Sequence, residues 1–579
     1  MHPGLAGGNH VLTGPRKSAQ SGRLEVRGAG RNRLLTGSTC RVRPYPLPGI
    51  PGRGAAAGPC VSLCTIQANA SPGRRHGGLS SMRSGCRLRQ PIQLRQVLSD
   101  AEWVGAGDLA VTSCTADSRQ VQPGDLFVAL AGTADDGHRY VAEAVRRGAI
   151  GLVVQRPIGR LGVPVCRVPD TRRAFGCICQ ALAGHPSRQI KVIGVTGTNG
   201  KTTTSLLIAS VLRSAGFQVA LTGTLGSFDG REFAEAQWTT PPADRLAEWL
   251  ARAVSHGCSH AVIEVSSHGL DQSRIAGIQL DAACLTNVRE DHLDYHGSLA
   301  AYWRAKCRIF EHLTPEGFAV LNADDAFCRA TVERLATPAL TVGLRSAAEI
   351  SASVMEEGIS EQMFLLSAGC EHIPVRTRMI GKHHVYNSLM AAAVGLAYGI
   401  ELVAVVRGLE ALDRVPGRLE RIECGQPFGV FVDYAHTADA LAAALGTLRR
   451  ATSGRLICVF GAGGRRDRRK RPRMGRVVET HADVAVITND NPREEPPEVI
   501  LAEILAGFRH PESARVIPDR AQAIGWALSE AQPGDCVLIA GKGHEKYQIV
   551  GRRRLPFDDR HVAKTWLYEH PPLPLAATN

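Results

Sequence analysis

Residues 190–204 read IKVIGVTGTNGKTTT. Lys191 to Thr196 has the apolar run of a strand buried on both faces, Gly197 and Gly200 interrupt it, and a helical pattern opens at Lys201. Strand, glycine turn and helix in that order restrict the chain to an α/β architecture around a largely parallel sheet. The turn is also a phosphate cradle. Glycines let backbone N–H groups close around phosphate oxygens, and the helix N-terminus adds partial positive charge. Lys201 is placed to reach β- and γ-phosphates, and Thr202 to offer a hydroxyl to Mg²⁺. The strict pattern GxxxxGK[ST] needs Gly at 195, where this chain has Val195, so the loop is a variant with Gly197 as its extra glycine. The bland alternative is a tight strand–helix turn with a chance Gly-Lys, and the flanking elements argue against it. Gly197, Thr198, Asn199, Gly200, Lys201, Thr202 and Thr203 are the candidate phosphate-binding residues. The loop alone leaves kinase, ATPase, GTPase and ligase open.

The alternation continues through the chain. Residues 125–130 and 149–154 read as buried strands around a helical stretch at 138–147. Beyond the loop, apolar runs at 260–265, 282–286 and 318–321 alternate with helical patterns, and a helix is expected over 386–398. A third series at 428–433, 455–460, 483–488 and 535–540 has Rossmann character. Such alternation predicts doubly wound sheets. The expected organisation is an α/β protein of three domains, 82–187, 188–413 and 414–579, behind an extension at 1–81.

The net charge of +14 suggests a nucleic-acid partner until it is divided. Residues 1–81 hold 11 Lys and Arg against one acid, Glu25, whereas the other 498 residues hold 57 basic and 53 acidic side chains. The body is near neutral, so no basic field points to nucleic acid. The extension has 15 Gly, 8 Pro and a single aromatic, Tyr45. That composition cannot bury enough apolar surface to fold, so disorder is expected. Met82 is expected to start translation; an organelle transit peptide and a nucleic-acid-binding arm are the competing readings. The longest apolar stretch, Leu389 to Ile400, stops at Glu401 and falls short of the ~18 residues that mark a membrane span. The sixteen cysteines show no CxxC and no zinc spacing, so they read as reduced core residues of a cytoplasmic protein.

Further motifs follow the loop in a fixed order: TTPP at 239–242, EVSSHGLDQSRI at 264–275, TNVREDHLDYHG at 286–297, YWRAKCRIF at 302–310, GKHHVYN at 381–387, VPGRLE at 415–420, VDYAHTADAL at 432–441, GAGGRRDRRKRPRMG at 461–475, NDNPR at 489–493 and AGKGHEKYQ at 540–548. Together they resemble the Mur ligase family, and within it the branch that adds the third amino acid of the cell-wall peptide. The loop by itself is also similar to that of folylpolyglutamate synthases. The resemblance implies a small domain for the UDP end of the substrate, a central P-loop ATPase domain and a C-terminal Rossmann-like domain for the amino acid. It implies that ATP activates the D-Glu γ-carboxylate of UDP-N-acetylmuramoyl-L-alanyl-D-glutamate as an acyl phosphate, which the amine of meso-2,6-diaminopimelate then attacks. ATP, Mg²⁺ and CO₂, the last as a carbamate on Lys306, are the implied cofactors.

On this resemblance Lys201, Glu264, His292 and Lys306 are the catalytic candidates, with Thr202, Glu264 and carbamylated Lys306 as Mg²⁺ ligands and His292 helping to hold a second Mg²⁺. Taken alone, Glu264 is a strand-end carboxylate, His292 a loop histidine and Lys306 a solvated helix lysine. Carbamylation needs the neutral amine, so a depressed pKa is expected. Asn387, Arg418, Asp433 and His436 match positions around ATP, the last three crossing from the third domain on closure. Ser118, Thr239, Thr240, Ser266, Gln272 and Arg274 match positions around the UDP-sugar-dipeptide. Arg466, Asp490, Asn491, Pro492, Arg493, Gly541 and Glu545 match the diaminopimelate site. There the planar fork of Arg493 answers the distal carboxylate that L-lysine lacks.

Trp238, His384 and Arg465 depart from the family pattern. Trp238 bears on one substrate contact, and Arg465 either perturbs the amino-acid pocket or is simply solvated. A lysine-adding ligase and a non-catalytic plastid relative serving transcription or nucleoid assembly are the alternatives. The expected partners are small-molecule substrates, with no nucleic acid, no membrane insertion and a monomeric chain.

Overall fold

The computed structural model describes residues 86–571, apart from 106–107 and 133–134. The extension 1–81 and Met82 lie outside the described residues. Three sheets and one hairpin, Tyr547–Val550 with Arg553–Pro556, organise the chain. In the first sheet the parallel strands Ala110–Thr115, Leu126–Val128, Gly151–Val154 and Val165–Arg167 lie between antiparallel edges, Cys86–Gln93 and Glu102–Val104.

The central sheet has eleven strands. Lys191–Thr196 runs parallel between His260–Glu264 and Leu280–Leu285, with Val219–Gly223 beyond the first and Leu313–Asn322 beyond the second. Both faces are covered, which explains why these strands read as unbroken apolar runs. Alternate residues divide between the faces. Ile193 and Val195 pack with Leu207, Val211, Val385 and Leu389 on one side. Val192 packs with Trp249, Ile263, Tyr302 and Ile309 on the other. The register pairs Glu264 with Val195 and Leu285 with Thr196, so the glycine loop, Glu264 and Thr286 share the carboxyl ends of three adjacent strands. The chain runs outward in one direction before this point and in the other after it, which is where open α/β sheets bind ligands.

The third sheet runs Glu420–Arg421, Gly429–Asp433, Cys536–Ala540, Leu456–Phe460, Val484–Ile487 and Ala514–Val516, parallel except for the first. The four apolar runs expected there are its four inner strands. The helix expected over 386–398 is Lys382–Ala397, and that at 138–147 is a 3₁₀ turn, Gly137–Tyr140, running into the helix Val141–Arg146. The antiparallel extension of the central sheet, Ile350–Glu357, Gln362–Ala368 and Glu371–Thr377, was not anticipated. The described cysteines are free, and all but the exposed Cys370 are buried or half-buried. Among the described residues no helix is long and apolar enough to cross a membrane.

Candidate active site

The loop between Thr196 and Lys201 is stapled to the segment that follows Leu285. Thr198 N–H donates to the Asn287 carbonyl (2.9 Å), Asn199 N–H to Asn287 Oδ1 (3.0 Å), and Thr286 Oγ1 to the Asn199 carbonyl (2.6 Å). Gly197 (φ 148°) and Gly200 (φ 85°) admit no larger residue. A Cβ at 197 would strike Thr286 Oγ1, and one at 200 would strike Asn387 Oδ1. The TNG segment is therefore built together with Thr286, Asn287 and Asn387, of which the sequence reading had singled out only Asn387.

Lys201 Nζ donates to the carbonyls of Gly197 and Thr198 (2.9 and 2.8 Å). Glu264 is 1 % exposed and accepts from Thr202 Oγ1, Thr224 Oγ1 and Thr224 N–H, each at 3.0 Å. Burial pushes its carboxyl up, and Lys201 opposes that. Lys306, also 1 % exposed, donates to the Gly197 carbonyl at 2.7 Å and stands 4.4 Å from the ring centre of Tyr302. Burial holds its amine well below the ordinary lysine value, and Lys201 acts in the same direction. The solvated-lysine reading is thus wrong for this fold: the helix Leu299–Cys307 turns Lys306 inward. His292 sits at φ 54°, half-exposed beside Asp291 and 4.8 Å from the His268 ring; burial pushes its imidazole down while Asp291 opposes.

These residues fit a nucleotide and a hard cation. One buried carboxylate with two hydroxyls suits Mg²⁺, which draws its remaining ligands from phosphate and water. Among the described residues no three His, Cys, Asp or Glu side chains form a closed metal cage, in keeping with so sparse a set. A cavity of about 270 Å³ is walled by Asn199, Gly200, Thr202 and Thr203 on one side and by Arg418, Asp433 and His436 on the other, with Asn387 between. Arg418 reaches Thr202 Oγ1 at 3.4 Å and stacks 4.6 Å from the Tyr434 ring centre. Asp433 accepts backbone N–H groups of Leu419 and Ala435 (2.6 and 2.7 Å), which shape the turn. His436 Nδ1 is bonded to the Tyr434 carbonyl (2.8 Å), and burial lowers its pKa to about 4. His384 also lines this cavity, buried, with both ring nitrogens unpartnered.

The segments expected around the substrate interlock. Thr240 Oγ1 donates to the Glu264 carbonyl (2.9 Å) and accepts from Ser266 N–H (2.9 Å). Arg274 donates to the Thr240 carbonyl (2.6 Å) and to Gln272 Oε1 (2.8 Å). Thr239 and Thr224 hydroxyls meet at 3.1 Å. Ser118 lies apart, in the first sheet's layer, donating to Glu143 (3.2 Å).

A second cavity, about 260 Å³, joins Thr239 and Trp238 to Tyr434, Glu545 and Tyr547. Beside Glu545 is a residue that the sequence reading passed over. Lys542 is fully buried and donates to Glu545 Oε2 (2.9 Å) and Asn491 Oδ1 (3.2 Å), with Asp490 Oδ1 at 3.8 Å. Asn491 Nδ2 completes the set by donating to Glu545 Oε2 (2.8 Å). Arg493, at φ 56°, donates to the Gly464 carbonyl (2.8 Å), and burial, followed by the nearby Arg466, lowers its pKa. Pro492 is buried, and Gly541 N–H ties this group to the Asp433 carbonyl (3.0 Å). Arg465 is exposed and paired with Glu494 (2.9 Å), so its own charge is balanced there. Within the basic run around it Arg471 is fully buried between Glu495 and Glu503 (both 2.7 Å).

The sequence matches the catalytic domain of the Mur ligase family over 110–181, the Mur ligase middle domain over 195–395 and the Mur ligase glutamate ligase domain over 417–543. The UDP-N-acetylmuramoyl-L-alanyl-D-glutamate--2,6-diaminopimelate ligase of Geobacillus thermodenitrificans (strain NG80-2) is 41 % identical over 476 residues, 81 % of this chain and 97 % of that one. The ligase of the same name from Gloeobacter violaceus is 42 % identical over 463 residues, 79 % and 94 % of the two chains. A solved structure of a UDP-N-acetylmuramoyl-L-alanyl-D-glutamate--2,6-diaminopimelate ligase superimposes with a TM-score of 0.60 at 31 % identity, covering 83 % of this chain and 99 % of that one. The fold and site define an α/β protein with a nucleotide-type glycine loop facing a second α/β layer. The chain belongs to the Mur ligase family.

Proposed function

We propose that this chain is an ATP-dependent ligase that joins meso-2,6-diaminopimelate to the D-Glu γ-carboxyl of UDP-N-acetylmuramoyl-L-alanyl-D-glutamate, in peptidoglycan synthesis. The observation that carries this reading is the cavity shared by Gly200 and Thr202 of the central sheet and Arg418, Asp433 and His436 of the third. It lies one residue from Glu264, through Thr202, and is tied to the Asn491–Lys542–Glu545 group through the bond from Gly541 to Asp433. The domains are 82–187 for the UDP end, 188–413 for ATP and 414–579 for the amino acid. The chain works in the cytoplasm as a monomer.

The glycine loop holds the phosphates of ATP, Lys201 leaves its two loop carbonyls to meet the β- and γ-phosphates, and Asn387 faces the base. Thr202, Glu264 and the carbamate of Lys306 would hold Mg²⁺, and His292 would help to hold a second. The chemistry Mg²⁺ would supply there is the offsetting of negative charge on the phosphates and the attacking carboxylate. Arg274, held by Gln272 and the Thr240 carbonyl, together with Ser266, Thr239 and Ser118, orients the UDP-linked dipeptide. A γ-carboxylate oxygen attacks the γ-phosphorus, the bond to the β-phosphate oxygen breaks, and ADP leaves. The amine then attacks the acyl carbon, loses a proton, and phosphate departs with the former carboxylate oxygen. Arg418, His436 and Asp433 close the third domain over the nucleotide and keep water from the acyl phosphate. Arg493 and Arg466 take the distal carboxylate of diaminopimelate, and Glu545, Asp490, Asn491 and Gly541 its distal ammonium, with Pro492 shaping the turn.

Phosphate release with ATP, Mg²⁺ and the UDP-linked dipeptide tests the reading. Release that requires diaminopimelate and is weak with L-lysine supports it. Release with lysine preferred would overturn the specificity, and none with either amino acid would overturn the activity.

A further inference from the structure

A cavity of about 810 Å³ lies at the end of the central sheet opposite the glycine loop. Arg188 and Gln279 on its walls stand just before the strands whose other ends carry the loop and Thr286, and Leu313 opens the neighbouring strand. Its remaining walls come from the first sheet's layer and from the turn after the helix that bears Lys306. Arg173, Arg188 and Arg308 line it, with His185 and His312, against one acid, Glu311. None of the three arginines has an ion-pair partner among the described residues. Burial lowers His312 to about 4, with Arg308 and Arg173 adding in the same direction. Arg173 and Arg188 are exposed and Arg308 half-buried, so water screens them in part, and an anion held between them would offset the charge that remains.

We infer that this cavity binds a small phosphate-bearing anion. Its volume falls in the range of about 300–1,000 Å³ typical of small-molecule sites. Guanidinium forks bind phosphate oxygens two at a time, which point charges cannot do. The site also bridges two layers. Ser273, on its wall, donates to Asp170 Oδ2 (3.4 Å) at the cap of the helix Thr171–Leu182, and the next residue, Arg274, belongs to the candidate substrate site. A bound anion therefore braces the seam behind Arg274.

Calorimetric titration of the full chain with inorganic pyrophosphate tests this. The glycine loop is a second receptor for that probe, so the titration is made in a Lys201→Ala background. Binding persists there and weakens by about tenfold or more when Arg173 and Arg308 both become Lys, a change that keeps charge but removes the fork. Arg188→Ala weakens it further, while unfolding temperatures stay at the parental value. Binding that disappears with Lys201→Ala alone, or is unmoved by the arginine changes, overturns the inference. Equal binding of citrate overturns the phosphate assignment.

Discussion

Lys201 and Lys306 donate to one acceptor, the carbonyl oxygen of Gly197, at 2.9 and 2.7 Å. Two buried amines on one oxygen make a stable arrangement only if at least one is neutral or is met by a counter-charge. Burial lowers the pKa of Lys201, and Glu264 opposes that by favouring its charged form. Lys306 has Tyr302 beneath it and no acid in hydrogen-bonding reach among the described residues, so burial favours its neutral form, the form that carbamylation requires.

Protein incubated with ¹³C-bicarbonate is expected to show a carbamate carbon resonance that is absent from Lys306→Met. The same variant should lose ligation by about a hundredfold or more, the scale set by removing a preorganised charge, and should unfold no earlier than the parent. A carbamate signal that persists in Lys306→Met would assign the modification elsewhere.

Arg493→Lys tests recognition of the amino acid. Lysine keeps the charge but cannot grip a carboxylate at two points. The KM for diaminopimelate should rise by about 10–100-fold with the KM for ATP unchanged, the cost of an imperfectly paired buried charge. An unchanged KM for diaminopimelate would remove Arg493 from the site.

Arg520 and Asp559 are both fully buried, paired at 2.7 and 2.8 Å, and Arg520 also donates to the Ala540 carbonyl (2.9 Å), next to Gly541. Asp559→Ala strands the guanidinium and should cost about 3–5 kcal/mol in urea unfolding. Arg520→Met combined with Asp559→Leu should recover most of that. A loss under ~1 kcal/mol in the single variant would contradict the pairing.

His260 is buried against Phe217 and Tyr398, and burial, helped by Lys191, lowers it to about 4. Unfolded, it titrates near ~6.5. The unfolded chain therefore takes up the proton first as pH falls. The contribution of His260 is complete above ~6.5 and is lost between there and about 4. Up to about 3 kcal/mol is at stake. In pH-dependent unfolding His260→Leu should flatten this limb, and an unaltered limb would refute the assignment.

How much of this was legible follows from where the physics is local. The strands at 191–196 and 536–540 announce themselves because both faces are buried, and the glycine loop because its backbone demands are written in residue types. The strands at 350–377 do not, because one side is wet and polar residues break their alternation. Lys306 and Lys542 are harder still. Each sits in an ordinary polar context in sequence and is buried only by elements far along the chain, so motif resemblance reached Lys306 and nothing reached Lys542. Arg465 shows the converse: an alarming basic run whose partners, Glu494, Glu495 and Glu503, come from the next segment.

An acyl phosphate on the D-Glu γ-carboxyl leaves an isotopic trace in the phosphate released. Substrate labelled with ¹⁸O in that carboxylate is turned over with ATP and diaminopimelate, and the released phosphate is weighed by mass spectrometry. Each phosphate formed is expected to carry one ¹⁸O, because the bridging oxygen leaves with phosphorus. Amide formation with unlabelled phosphate would contradict it.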